Sequence, residues 1–351
     1  MGKTAFLLGG TGQIGRAVAS ALLGDGWEVT LASRGEREVP PELRDHTRHV
    51  IVDRGDTSAL TKAVGSGVDL LVDAVAFEPD HARQLLSLSG DVGNLVVISS
   101  GSVYADDQGR TLDEAQRADE LPVFRGPIRE SQATVAPSDA NYSTKKMAIE
   151  RMLLEQDLVP VTIVRPWAIY GPGGTLSREW HFVKRVLDQR PVVLLADRGE
   201  SRFQTTATAN LAELIRLAAE WPQTSVFNCG DPDPPRVLDI ARSIAAAMDH
   251  DWAEVLFVRP EPWQRGVEAV GDTPWSVPEP IVVAMSAAQS ELGYGPVTTY
   301  DEAVRETCEW LVSATGTGEW EEVLTGSAAH MKDSFDYQAE DEFLRDLTAH
   351  S

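Results

Sequence analysis

Cysteine is scarce: 351 residues hold only Cys229 and Cys308, which stand far apart with no metal-ligand spacing around them. Two thiols cannot make a disulfide scaffold, so a reducing, cytoplasmic setting is expected and no metal site. Long apolar runs are missing too. Nothing approaches the roughly 18 residues of a spanning helix, and no cleavable signal pattern precedes the first apolar segment, so a soluble, unprocessed chain without a membrane partner is expected. Basic residues are outnumbered, 31 Lys and Arg against 54 Asp and Glu, for a net charge of −23. That field repels polyanions and argues against nucleic acid as a partner. Internal repeats and low-complexity tracts are absent, and 42% apolar with 24% charged residues is a globular balance.

What is present is alternation. Short β-branched apolar runs at Thr4–Gly9, Glu28–Ala32, His49–Asp53, Leu70–Ala76, Leu95–Ser99 and Val161–Arg165 have the composition of strands buried on both faces of a parallel sheet. Segments between them, such as Ile14–Leu23 and Ala59–Val64, carry helical spacing. The pattern predicts an α/β fold, a Rossmann-type doubly wound parallel sheet, over residues 1–170. From Gly171 the alternation decays, with further apolar runs at Val192–Leu195 and Ser225–Cys229. Residues 171–312 are expected to form mainly a smaller substrate domain, with 201–228 returning to the first. Residues 313–351 read as an acidic extension, its aromatic residues either docking as short helices or staying mobile.

Gly9-Gly10-Thr11-Gly12-Gln13-Ile14-Gly15 lies between the first strand and the first helix. A tight glycine turn there lets the backbone approach a pyrophosphate, and the free N–H groups and dipole of the helix favour the anion. An NAD-preferring site usually carries an acidic residue about 20 residues on, for the ribose 2′-hydroxyl. This chain has Ser33-Arg34, which suits a 2′-phosphate. NADP(H) is therefore the preferred cofactor and NAD(H) the alternative, with Glu36 and Glu38 near enough to occupy Arg34.

Tyr142 and Lys146 are i,i+4 on a predicted helix, hence on one face. A phenol titrating near ~10 is too basic for neutral-pH proton transfer, and a neighbouring ammonium is expected to lower it. Alone, Y-x-x-x-K is a common helix face. After the fifth strand of a glycine-loop fold it reads as an acid/base pair.

With these motifs the chain resembles the short-chain dehydrogenase/reductase superfamily, in the extended and atypical branches that include nucleotide-sugar epimerases and dehydratases. The resemblance runs from Thr4 to about Trp310 and rests on the glycine loop, Asp53-Arg54-Gly55-Asp56, Ser99-Ser100-Gly101-Ser102-Val103-Tyr104, Tyr142 with Lys146 and Glu150, and Arg165-Pro166-Trp167-Ala168-Ile169-Tyr170-Gly171-Pro172. It implies that Tyr142 exchanges a proton with a carbonyl or alcohol oxygen and that Ser100, with Ser99 and Ser102 as rivals, hydrogen-bonds that oxygen. It also implies that Lys146 holds the ribose and tunes the phenol. Asp53, with Arg54 beside it, would meet the adenine end; Ala74, Val75, Ala76 and Pro166 would line the cofactor. A homodimer is likewise implied.

Two departures bear on substrate. Family dehydratases carry Asp-Glu after the catalytic hydroxyl, where this chain has Gly101-Ser102, and Ala168 stands where nucleotide-sugar enzymes place an Asn near the diphosphate. Dehydration and diphosphate binding are thus unsupported. Trp167, Trp180, His181 and Trp263, with Arg265, are expected to form an aromatic substrate pocket, and His181 is given no catalytic role. Residues 105–126 read as a lid or edge loop, or as a solvent-facing elaboration. The favoured function is an NADP(H)-dependent oxidoreductase acting on a carbonyl, alcohol or imine of a small, partly apolar metabolite. Alternatives are an epimerase that oxidises transiently and a non-catalytic cofactor-sensing or RNA-associated protein.

Overall fold

The computed structural model describes residues 2–259, 262, 269–316, 318–331 and 334–349. The first six strands are β1 (Thr4–Leu8), β2 (Glu28–Ser33), β3 (Thr47–Ile51), β4 (Val68–Asp73), β5 (Val92–Ile98) and β6 (Val161–Pro166). Then come β7 (Ala168–Tyr170), β8 (Val192–Leu195), β9 (Thr205–Ala207), β10 (Ser225–Cys229) and β11 (Ala253–Leu256). Seven of them make one sheet in the order β10-β6-β5-β4-β1-β2-β3, with every neighbouring pair parallel. The order reverses between β1 and β4, and ligands of such sheets bind beyond the carboxyl ends of the strands at that point.

Helices α1 (Gln13–Gly24), α2 (Pro41–Arg44), α3 (Thr57–Val64), α4 (Pro79–Ser87) and α5 (Tyr142–Leu154) connect the first strands. Helices α6 (Trp180–Leu187), α7 (Thr208–Ala218), α8 (Val237–Ala247), α9 (Ser286–Leu292) and α10 (Tyr300–Thr315) follow. The alternation of side chains along each strand divides the sheet's burden. Ala5 and Leu7 of β1 join Val18, Leu22, Leu211 and Ile215 on the face covered by α1 and α7. Phe6 and Leu8 join Leu60, Leu85, Ile149 and Leu153 on the face covered by α3, α4 and α5.

A separate apolar cluster lies under β8, where Trp180, Phe182, Val193, Leu195, Ile240, Val304 and Trp275 pack together. The acidic tail docks against it as α11 (Trp320–Val323), α12 (Thr325–Met331) and α13 (Tyr337–Ala349). Charge and rings fasten α13: Arg185 meets Glu340 at 2.6 Å, Arg190 meets Asp341 at 2.6 Å, and the Phe343 ring lies 4.6 Å from that of Phe257. Among the described residues no helix is long and apolar enough to cross a membrane.

Candidate active site

A cleft of about 1560 Å³ opens at the carboxyl ends of β1, β4, β5 and β6, lined there by Gly9, Val75, Ser100 and Trp167. Its dinucleotide end is built on backbone. Gly9 takes φ +79°, and a Cβ at Gly15 would fall 2.4 Å from the Gly9 carbonyl, so the loop folds tightly onto α1 only with glycine at both. The Gly9 and Gly10 amides donate to the Ala32 carbonyl at 3.0 and 3.2 Å, fixing the loop to the end of β2. Helix α1 is preceded by Gly12 at its N-cap, with no side-chain capping bond and no acidic residue in its first turn. Its leading N–H groups are thus left for a ligand, and with Gly12, Gln13 and Ile14 lining the cleft the set fits a pyrophosphate.

Other residues expected at the cofactor are placed unevenly. Ala74, Val75 and Pro166 line the cleft, whereas Gly10 lies against the β2 backbone at Leu31 and Thr11 is buried. Ala76 is buried and offers its carbonyl to Lys146. Ser33 bonds the His49 ring at 2.8 Å, and the Arg34 guanidinium is exposed against Glu36 at 2.7 Å. Asp53 is exposed and accepts from the Gly55 amide at 2.8 Å. Arg54 is a correction: its guanidinium lies between the buried Asp73 carboxylate, at 2.7 and 2.9 Å, and Gln84, at 3.2 Å. It braces β4 against α4 and does not line the cleft. Arg37 was missed. It lines the cleft and donates to the Gly173 carbonyl at 3.2 Å.

Helix α5 starts where the proton chemistry needs it. Asn141 caps it, accepting from the Thr144 amide at 3.0 Å while Thr144 accepts from the Asn141 amide at 3.1 Å. Tyr142 therefore stands at the first helical position, 45% exposed to the cleft. One turn later Lys146 is only 2% exposed, its Nζ donating to the carbonyls of Ala76 at 2.7 Å and Ile98 at 2.9 Å. Burial pushes that ammonium down to about 8. The phenol moves opposite to expectation: burial raises it, the Ser100 hydroxyl pulls the other way, and Asp113 adds to the rise. Lys146 lies with its Nζ 5.7 Å from the Tyr142 ring centroid while it donates to the two carbonyls.

The three serines sort themselves by their partners. Ser99 donates to the buried Glu150 carboxylate, which also receives Arg165 through Nε at 3.1 Å and Nη2 at 2.5 Å. Arg165 in turn lies 4.8 Å over the Tyr104 ring, whose hydroxyl donates to Asn228 at 2.7 Å. That buried network holds the ends of β5 and β6 from behind. Ser102 accepts from Ser100 at 3.0 Å and from Ser143 at 2.8 Å. Ser100 is the hydroxyl left beside the phenol.

At the substrate end Trp167 lies flat on the serine loop. A Cβ on Gly101 would come 2.0 Å from the indole, so the ring occupies the space that a side chain at that position would need. Trp180 and His181, expected in the pocket, are corrections: both are buried in the second core, against Trp320 at 5.7 Å and Phe182 at 4.8 Å. Burial drives the His181 imidazole well below its usual range. Trp263 and Arg265 lie outside the described residues. The described residues at this end of the cleft include Arg178 and Phe203, Leu112 and Leu121 of the 105–126 insertion, and Met331 and Phe335 of the tail. The interleaved aromatics of the tail were the one sequence signal for its part.

The family model of the NAD dependent epimerase/dehydratase family matches residues 5–90 and 80–230. No curated protein matches the chain. Among solved structures, an epimerase from Methanothermobacter thermautotrophicus is 17% identical, covering 92% of this chain and 95% of its own at a TM-score of 0.68. UDP-glucose 4-epimerase with UDP-glucose from Thermotoga maritima is 18% identical, with coverages of 88% and 99% and a TM-score of 0.67. dTDP-glucose 4,6-dehydratase from Bacillus anthracis in complex with NAD is 15% identical, with 90% and 98% covered and a TM-score of 0.66. At these identities the likeness is one of fold.

Proposed function

The chain belongs to the NAD dependent epimerase/dehydratase family, and from that premise we propose that it is an NADP(H)-dependent reductase of a carbonyl carbon in a small, partly apolar metabolite. The observation that carries this reading is geometric: the Tyr142 phenol is open to the cleft, with Ser100 lining the cleft beside it and the buried Lys146 one helical turn on. A group that keeps its proton at neutral pH is suited to act as a general acid. The bound nicotinamide would supply hydride. With substrate bound, the Ser100 hydroxyl would turn its single proton from Ser102 to the substrate's carbonyl oxygen, and Tyr142 would deliver its proton to that oxygen as the alcohol forms. Lys146 donates two of its three N–H bonds to Ala76 and Ile98, leaving one for a ribose hydroxyl.

NADP(H) is favoured because β2 ends in Ser33-Arg34 with no carboxylate for a ribose 2′-hydroxyl. The exposed Arg34–Glu36 pair is of a kind worth about 0–1 kcal/mol, so a phosphate can displace it. Dehydration is disfavoured, since the Trp167 ring leaves no room at Gly101 for the acid of the family dehydratases.

A second reading, epimerisation by transient oxidation, draws on the structural neighbours, which include a UDP-glucose 4-epimerase. One experiment separates the two. The protein is mixed with NADPH and a panel of aldehydes and ketones, and separately with UDP-glucose. Loss of nicotinamide absorbance with a carbonyl supports reduction; steady absorbance with an isomerised sugar supports the epimerase; neither outcome would remove the reductase reading.

A further inference from the structure

Arg178 precedes α6 and its side chain lines the cleft, with the guanidinium carbon 6.0 Å from the Phe203 ring centroid. Among the described residues no hydrogen bond or ion pair engages that guanidinium, and its neighbour Glu179 is the single opposing charge. Glu179 faces elsewhere, accepting from Ser177 at 3.1 Å and from Tyr300 at 3.5 Å. Among the described residues, the two other cleft guanidiniums each make a hydrogen bond. Arg37 donates to the Gly173 carbonyl at 3.2 Å, and Arg185 donates to Glu340 at 2.6 Å and to the His181 carbonyl at 2.8 Å. A partly desolvated cation without an anion is costly, and proteins offset that cost with a carboxylate or a ligand.

The position of Arg178 relative to the proton donor is set by an apolar wall. Phe203 meets Trp167 edge-on at 5.6 Å, and Trp167 rests on Gly101, next to Ser100. The wall thus begins at the site of the reacting oxygen and ends at an open planar fork of donors.

We propose that the substrate carries a carboxylate that Arg178 grips at the far end of this wall, with an apolar stretch between the carboxylate and the reacting carbonyl. The inference rests on the reductase reading for the position of that carbonyl. A single guanidinium matches a monoanion in fork geometry. A diphosphate needs several charged donors at once, and of the two other guanidiniums that the described residues place at the cleft, Arg185 is already paired with Glu340.

Calorimetric titration of the full chain, with NADPH present, tests this with hexanoate, its neutral isostere hexanamide, and inorganic pyrophosphate. Hexanoate should bind about tenfold or more tightly than hexanamide, the range of a charged hydrogen bond. Arg178→Gln should erase that preference and Arg178→Lys should retain part of it, with a cooperative melting transition showing that each variant is folded. Tyr142→Phe, which stops turnover under the reductase reading, should leave hexanoate binding intact, so the two readings fail separately. Equal binding of hexanoate and hexanamide, a preference that survives Arg178→Gln, or pyrophosphate binding more tightly than hexanoate would each overturn the proposal.

Discussion

Replacing Gly101 by alanine places a methyl group where the indole of Trp167 already lies, 2.0 Å from Cε2 and 2.2 Å from Nε1. The ring has little room to retreat. It stacks on Tyr104 at 6.4 Å, meets Phe203 edge-on at 5.6 Å, and is 7% exposed. Overpacking of a close-packed site costs about 1–3 kcal/mol, and the confinement of this ring puts the expected loss at the upper end. Trp167→Ala alone should cost about 3–5 kcal/mol by opening a cavity. In the double variant the new methyl enters that cavity, so the combined loss should fall short of the sum by about 1–3 kcal/mol. Urea unfolding of the four proteins measures the cycle. Strict additivity, or a Gly101→Ala protein as stable as the native one, would refute the claim that Trp167 occupies the space over the serine loop.

Tyr142→Phe should retain NADPH binding by fluorescence titration while steady-state turnover falls by about 10²–10⁴, the span for a lost general acid. Arg34→Ala should weaken NADPH roughly ten- to hundredfold and leave NADH nearly unchanged in the same titration; equal native affinities for the two would contradict the 2′-phosphate assignment. Burial lowers Lys146 from 10.5 to about 8, so the folded chain sheds this proton first and the residue's contribution to stability rises with pH between those values. If the ammonium serves the cofactor, kcat/KM should decline as pH passes through about 8, and a profile flat from about pH 7 to 9 would show that it does not.

The parallel sheet was legible because its central strands are buried on both faces and read as apolar runs. Thr4–Leu8 and Val161–Pro166 lie within a residue of such runs. β3 is an edge strand with a half-exposed pattern, and there the apolar run His49–Asp53 overshot the observed Thr47–Ile51. β7 and β9, three residues each, are too short for periodicity to register. In the site, the local signals placed the glycine loop and the Tyr142–Lys146 face, since each depends on residues close in sequence. What was misread or not foreseen depends on distant partners. Arg54 finds Asp73 from the end of β4, Lys146 finds the Ile98 carbonyl of β5, and His181 turns into a core completed by Phe335. No spacing within α5 or α6 reports those contacts.

The central claim is net hydride delivery to a carbonyl carbon with Tyr142 as the proton donor. Its most direct test is turnover with NADPH carrying deuterium at the transferring position of the nicotinamide, using a carbonyl substrate drawn from the absorbance panel and mass analysis of the product. The account predicts one deuterium on the carbinol carbon, oxidised cofactor in equal amount, and near-complete loss of both in Tyr142→Phe. Deuterium remaining on the cofactor while substrate isomerises, or full transfer by the Phe variant, would contradict it.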